Sequence, residues 1–261
     1  MSELEEKVAL VTGGGSGIGK AAGELLARHG ARVALLDAHE QPAREAAAGI
    51  EREGGQAMAL VADISEPKAM QQAIAAIEER WGRLDIVFAN AGINGVWAPI
   101  DELTADEFDH TLAVNLRGTF LTIQQSVRLL KRRGGSVIIT SSVNGTRIFS
   151  NPGATAYSVS KAGQVAMAKM LARELAQDRI RVNVICPGAV QTNIGSSTEQ
   201  RHTERISPKV EFPEGEMPLT RGRPGRPEQV AQLVLFLASE ASSLITGTEV
   251  WIDGAESLLR G

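Results

Sequence analysis

The chain has 261 residues, 43% of them hydrophobic and 22% charged, and carries a formal net charge of −4 at neutral pH. This size and balance fit one α/β domain whose core needs no disulfide or metal staple, and they exclude a wholly disordered or fibrous chain. An acidic balance argues against nucleic-acid binding, the single cysteine, Cys186, against a Cys-rich metal site, and the lack of any apolar run near ~18 residues against a membrane span.

The acidic start, Met1–Lys7, lacks the basic-then-apolar order of a signal peptide, so a cytoplasmic location is expected. From there short β-branched runs alternate with segments of helical spacing. In chain order they predict strand Val8–Thr12, helix Gly17–His29, strand Arg32–Leu36, helix Gln41–Glu53, strand Ala57–Val61, helix Pro67–Trp81 and strand Ile86–Ala89. Helix Ala105–Lys131, strand Ser136–Thr140, helix Ala156–Gln177, strand Val182–Ile185, helix Pro227–Ala238 and strand Thr248–Ile252 follow. Repeated strand–helix–strand units imply parallel strands with right-handed crossovers, and strands apolar on both faces imply helices on both sides. The expected architecture is α/β: one domain over residues 1–261, a doubly wound parallel sheet of about seven strands in three layers. Asn193–Gly222, rich in charge and turn residues, fits no element; a segment this long is a disordered stretch or, as expected here, a substrate lid.

The first strand ends in a glycine cluster, Thr12–Gly19 (TGGGSGIG). Glycine lets backbone approach closely, and in a doubly wound sheet this turn holds a pyrophosphate on the N-terminus of the next helix. A tight βα turn without ligand is the plainer alternative. The second strand ends at Asp37, followed by Ala38 and His39 rather than a base. An acid there accepts hydrogen bonds from ribose hydroxyls and repels a 2′-phosphate, which favours NAD over NADP; a helix N-cap is the competing role.

Tyr157, the only tyrosine, and Lys161 lie four apart on one helical face. A neighbouring ammonium favours the phenolate, so the pair is expected to lower the phenol's pKa and let it exchange a proton with a carbonyl or alcohol oxygen. Ser142, just past the fifth strand, stands where a hydroxyl can donate to an oxygen gaining charge, although serine is also common in turns. Asn115 lies in mid-helix among apolar residues, which suggests a hydrogen-bonding role or a kink. The four histidines, His29, His39, His110 and His202, lack metal-ligand spacing, so no metal site is expected. Cys186 reads as a small buried hydrophobe. The basic turn Arg221–Arg226 reads as a solvated loop, and Arg147 as a surface cation or, less simply, a contact for an anionic substrate group.

Seven stretches in fixed order resemble the short-chain dehydrogenase/reductase family from Lys7 to Asp253: TGGGSGIG at Thr12–Gly19, Asp63, Asn90–Gly92, Asn115, Ser142, Tyr157–Lys161 (YSVSK) and Pro187–Thr192 (PGAVQT). The resemblance implies a Rossmann-type fold and a catalytic set of Asn115, Ser142, Tyr157 and Lys161. In it the tyrosine moves the proton, the lysine also holds the nicotinamide ribose, and the asparagine anchors a water linked to the lysine. It further implies a cofactor pocket formed by Gly13, Ser16, Gly17, Ile18, Gly19, Asp37, Asp63, Ile64, Asn90, Ala91, Gly92, Tyr157, Lys161, Pro187, Gly188, Val190 and Thr192. The expected function is NAD-dependent interconversion of a secondary alcohol and a ketone on a small, polar or amphipathic substrate. Reduction of 3-oxoacyl thioesters and non-catalytic nucleotide sensing are the alternatives. The family pairs long helices like Ala105–Lys131 and Ala156–Gln177 between subunits, so a homotetramer, or failing that a dimer, is expected. One departure stands out. Ser142 precedes Tyr157 by 15 residues, two more than the family commonly has, and the family spacing falls on Asn144. A strand end fixes position more firmly than a loop, so the extra pair is expected within Thr146–Asn151, leaving Ser142 to face the tyrosine.

Overall fold

The computed structural model describes residues 3–207 and 217–260. Its strands in chain order are β1 (Val8–Thr12), β2 (Arg32–Asp37), β3 (Gln56–Val61), β4 (Ile86–Ala89), β5 (Gly95–Trp97), β6 (Gly135–Thr140), β7 (Ile180–Pro187), β8 (Thr198–Gln200) and β9 (Glu249–Ile252). Seven of them form one sheet in the order β3-β2-β1-β4-β6-β7-β9, with every neighbouring pair parallel. The order reverses between β1 and β4, which opens a crevice at the carboxyl ends of these two strands.

The helices are α1 (Gly17–Arg28), α2 (Glu40–Arg52), α3 (Pro67–Trp81), α4 (Ala105–Leu112), α5 (Gly118–Leu130), α6 (Thr155–Leu175), α7 (Pro227–Ala238) and α8 (Glu256–Arg260). Alternate residues of β1 supply two separate cores. Val8 and Leu10 pack with residues of α3, α5 and α6, while Ala9 and Val11 pack with residues of α1, α2 and α7. The sheet is thus covered on both faces, which is why its strands carry no polar alternation.

Three expectations change. The helix expected over Ala105–Lys131 is broken by a π turn, Ala113–Arg117, between α4 and α5. Its start is set by Thr104, whose hydroxyl accepts from Glu107 N while the Glu107 carboxylate accepts from Thr104 N. The expected loop Asn193–Gly222 is structured where described: short 3₁₀ turns at Asn193–Ser197, Thr203–Arg205 and Pro218–Thr220 accompany β8, which pairs in parallel with β5. Residues 208–216 of the expected lid lie outside the described residues. The terminal helix α8 is an addition, and it buries Glu256, whose carboxylate accepts from Ala189 N at 2.9 Å. Among the described residues no helix is long and apolar enough to cross a membrane.

Candidate active site

The glycine turn connects β1 to α1 at the crevice. Gly17 has φ +50°, and a Cβ on Gly19 would lie 2.1 Å from the Gly13 carbonyl oxygen, so neither position tolerates a side chain without moving the backbone. Ser16 precedes α1 in an extended conformation and makes no side-chain cap, which leaves the helix's positive end to an external anion. Ile18, in the first turn, packs against the core under α1. Asp37 closes the turn from the end of β2: its Oδ2 accepts from Gly15 N at 3.1 Å and its Oδ1 from His39 N at 3.0 Å. These features fit a dinucleotide, with pyrophosphate at the amide end of α1 and a ribose near the Asp37 carboxylate.

The other expected pocket residues converge on the same crevice. Thr12 Oγ1 accepts from Asn90 N and Ala91 N at 3.0 and 3.1 Å, and Asn90 Oδ1 accepts from Thr140 Oγ1 at 3.1 Å, tying the ends of β1, β4 and β6 together. A Cβ on Gly92 would lie 3.1 Å from Asn115 Oδ1 and 3.6 Å from Lys161 Nζ, which places this segment beside both side chains. Asp63 is exposed and its Oδ1 accepts from Ser65 N and Oγ; Ile64 is buried against Gly118. At the end of β7 the Pro187 carbonyl accepts from Val143 N, and Gly188 sits beside the Glu256 carboxylate. Val190 pairs with Gly225, whose N–H and carbonyl bond Ala189 and Gln191, so the turn expected to be free loop anchors this segment. Thr192 lies against Gly17: a Cβ there would be 3.1 Å from Thr192 Cγ2.

The chemistry-bearing side chains are buried together. Relative exposure is 0% for Asn115, 6% for Ser142, 7% for Tyr157 and 2% for Lys161. The Ser142 hydroxyl lies near enough to the Tyr157 phenol to lower its pKa, whereas Asn144, the rival at the family spacing, binds Asn151 Nδ2 through its Oδ1 at 2.6 Å. Ser141 faces the other way and donates to the Lys161 carbonyl at 2.8 Å. Lys161 Nζ lies 5.4 Å from the Tyr157 ring centroid and donates to the Thr140 carbonyl at 2.9 Å. Asn115 Oδ1 accepts from Ile93 N, and its Nδ2 donates to Ile93 O and Ser160 Oγ.

Burial governs the electrostatics. It holds the Tyr157 phenol above its ordinary range, and the Ser142 hydrogen bond opposes it. Lys161 does not lower the phenol as expected: burial raises it, and burial also depresses the ammonium, to about 8, with Cys186 pulling it back up. Cys186 is fully buried and its thiol is pushed up to about 12, first by burial, so it is inert. Among the described residues no group of three or more His, Cys, Asp or Glu side chains converges on a point.

Two features escaped the sequence reading. Trp97 on β5 stands beside the phenol, with ring centroids 6.4 Å apart and planes tilted by 42°. A three-residue strand has too little periodicity to register in sequence. The chain after β8 is latched rather than loose: Arg201 forks onto Glu107, and His202 and Arg205 meet Glu102. Arg201 and the Thr104 backbone hold the Glu107 carboxyl down at about 2.

A family model described as enoyl-(acyl carrier protein) reductase matches residues 13–255. The 3-oxoacyl-(acyl-carrier-protein) reductase FabG of Thermotoga maritima is 38% identical over 252 residues, covering 96% of this chain and 98% of that protein. The crystal structure of a 3-ketoacyl-ACP reductase from Sinorhizobium meliloti 1021 superposes with a TM-score of 0.94 at 51% identity, covering 97% of this chain and 100% of that one. A 3-ketoacyl-(acyl-carrier-protein) reductase from Brucella melitensis, complexed with NADH, has a TM-score of 0.85 at 31% identity, covering 97% and 99%. With the glycine turn, the switch-point crevice and the buried Ser–Tyr–Lys cluster already in place, these likenesses settle its kinship: the chain belongs to the short-chain dehydrogenase/reductase family and is an oxidoreductase acting on alcohol or ketone groups.

Proposed function

We propose that the protein is a cytoplasmic, NAD-dependent enzyme that interconverts a secondary alcohol and its ketone, with Tyr157 moving the proton. The observation that carries this reading is the burial together of Ser142, Tyr157 and Lys161, with Lys161 Nζ 5.4 Å from the Tyr157 ring one helical turn away. NAD, when bound, supplies the hydride acceptor. In the oxidising direction the Tyr157 oxygen takes the hydroxyl proton, and Ser142 donates to the substrate oxygen as it gains charge. Lys161 places positive charge beside the phenolate, and Asn115 fixes the Ile93 backbone over the site. The residues assigned to hold the cofactor are Gly13, Ser16, Gly17, Ile18, Gly19, Asp37, Asp63, Ile64, Asn90, Ala91, Gly92, Tyr157, Lys161, Pro187, Gly188, Val190 and Thr192.

Asp37 supports NAD over NADP, because its carboxylate faces the glycine turn and, among the described residues, pairs with no arginine. NAD is expected to exceed NADP at least tenfold in kcat/KM, about 1.4 kcal/mol. Asp37→Ser with Ala38→Arg should narrow or reverse that ratio; equal use of both cofactors by the unaltered protein would overturn the assignment. The names of the relatives favour a second reading, 3-oxoacyl-thioester reduction. A panel of sugars, polyols, hydroxy acids and hydroxysteroids with NAD, run beside a 3-oxoacyl thioester with NADH and NADPH, decides between them.

We assign a homotetramer. Leu112, Leu116 and Phe120, with Met167 of α6, line an open apolar hollow of the kind that symmetric association covers. Light scattering at micromolar concentration should give about four times 27.7 kDa. A value near one chain mass would refute it.

A further inference from the structure

The segment Thr146–Asn151 after β6, where the two extra residues are expected, includes Arg147. Its guanidinium carbon sits 3.6 Å from the centroid of the Trp251 ring, stacked on the indole face. Among the described residues Arg147 joins no carboxylate. Trp251 lies on β9, opposite Cys186 of β7, and its Nε1 is buried without a hydrogen-bond partner. The indole is therefore held by its faces rather than its edge, and one of those faces carries the arginine.

The turn bearing Arg147 is closed on itself. The Val143 carbonyl accepts from Arg147 N and Ile148 N, both at 2.9 Å, and Val143 N reaches the Pro187 carbonyl at 3.0 Å. Ser142 is gripped from within this turn: Asn144 N donates to its Oγ at 3.1 Å, and Thr146 Oγ1 donates to its carbonyl at 2.6 Å. With its oxygen occupied by an amide, the Ser142 hydroxyl is left to donate toward Tyr157.

We propose that Arg147 is a positioning residue: stacked on Trp251, it braces the turn that aims the Ser142 hydroxyl at Tyr157. The turn bearing Arg147 thus forms a strut between the proton-transfer pair and the last strand of the sheet. The proposal rests on Ser142 and Tyr157 forming the proton pair, but it is testable without any substrate. Turnover of the alcohol panel tests that pairing's chemistry, so the two can fail separately.

Tyr157 is the only tyrosine, so a single ring-carbon resonance from ¹³C-labelled tyrosine reports its hydroxyl in the full-length protein. Ultraviolet titration of tyrosinate reports the same group's ionisation. The titratable groups beside it are Lys161 on α6 and, next to Lys161, Cys186 on β7; the arginine variants alter neither. Ser142→Ala sets the full shift, toward a weaker hydrogen bond and a higher titration midpoint. Arg147→Ala should give at least half of that shift in both readouts, with NAD affinity by calorimetry changed less than about threefold. Arg147→Lys and Trp251→Phe, which keep the cation and the aromatic face, should restore most of it. Arg147→Ala combined with Ser142→Ala should move the resonance no further than Ser142→Ala alone. An Arg147→Ala resonance coincident with that of the unaltered protein overturns the strut. So does a shift that Arg147→Lys and Trp251→Phe fail to restore, or a double variant whose shifts simply add.

Discussion

Tyr157→Phe is expected to lower kcat by roughly 10²–10⁴, the range that a positioned acid or base supplies, while NAD affinity stays within about threefold. Phenylalanine keeps the ring and its contact with Trp97 and removes only the hydroxyl. The pH dependence carries its own sign. Burial keeps the phenol above its ordinary range, so at neutral pH it is protonated and ready to donate. Ketone reduction then needs no prior ionisation and should be flat from pH 6 until the Lys161 ammonium, held at about 8, is lost. Alcohol oxidation needs the phenolate, whose fraction rises about tenfold per pH unit below the pKa, so its kcat/KM should climb steadily over the same range. An oxidation profile that is flat from pH 6 to 9, or a Tyr157→Phe enzyme retaining a tenth of kcat, would remove the tyrosine from its role.

Ser142→Ala should cost roughly 10²–10³ in kcat, the scale of losing one preorganised donor to a developing oxyanion. The neighbouring changes separate this from damage to the loop. Ser141→Ala removes a bond to the Lys161 carbonyl and should cost about 1 kcal/mol of stability, read from the denaturation midpoint, with kcat within about threefold. Asn144→Ala breaks the amide pair with Asn151 and should likewise leave kcat within about threefold. A crippled Asn144→Ala beside an active Ser142→Ala would make the donor an amide and move the loop's two added residues ahead of it.

Periodicity and glycine spacing reached far into this molecule, because the strands of the seven-stranded sheet are mostly apolar on both faces, whereas the polar β8 and the three-residue β5 left no such mark. The crevice followed from topology, and Asp37 from its place at the end of β2. What stayed hidden depends on contacts between distant segments. No local pattern announces that Arg147 will meet Trp251, or that Trp97 will stand beside Tyr157. The phenol's shift runs opposite to the expected lowering for the same reason. A lysine four residues away is visible in the sequence, whereas the depth of burial that raises the phenol is a property of the whole fold. The segment after Thr192 looked loose because its restraints, Glu102 and Glu107, lie about a hundred residues earlier.

The π turn at Ala113–Arg117 amounts to one residue inserted into a helix without the chain leaving the helix. Such an insertion turns everything beyond it by about 100° around the axis, one residue's worth of rotation. An apolar stripe drawn straight through residues 105–131 therefore splits into two stripes that are out of phase. The Asn115 carbonyl, within this turn, accepts from Thr119 Oγ1 at 2.7 Å and Gln164 Nε2 at 2.8 Å. The helix spends one residue of regularity to fasten itself sideways to α6, the helix that presents Tyr157 and Lys161.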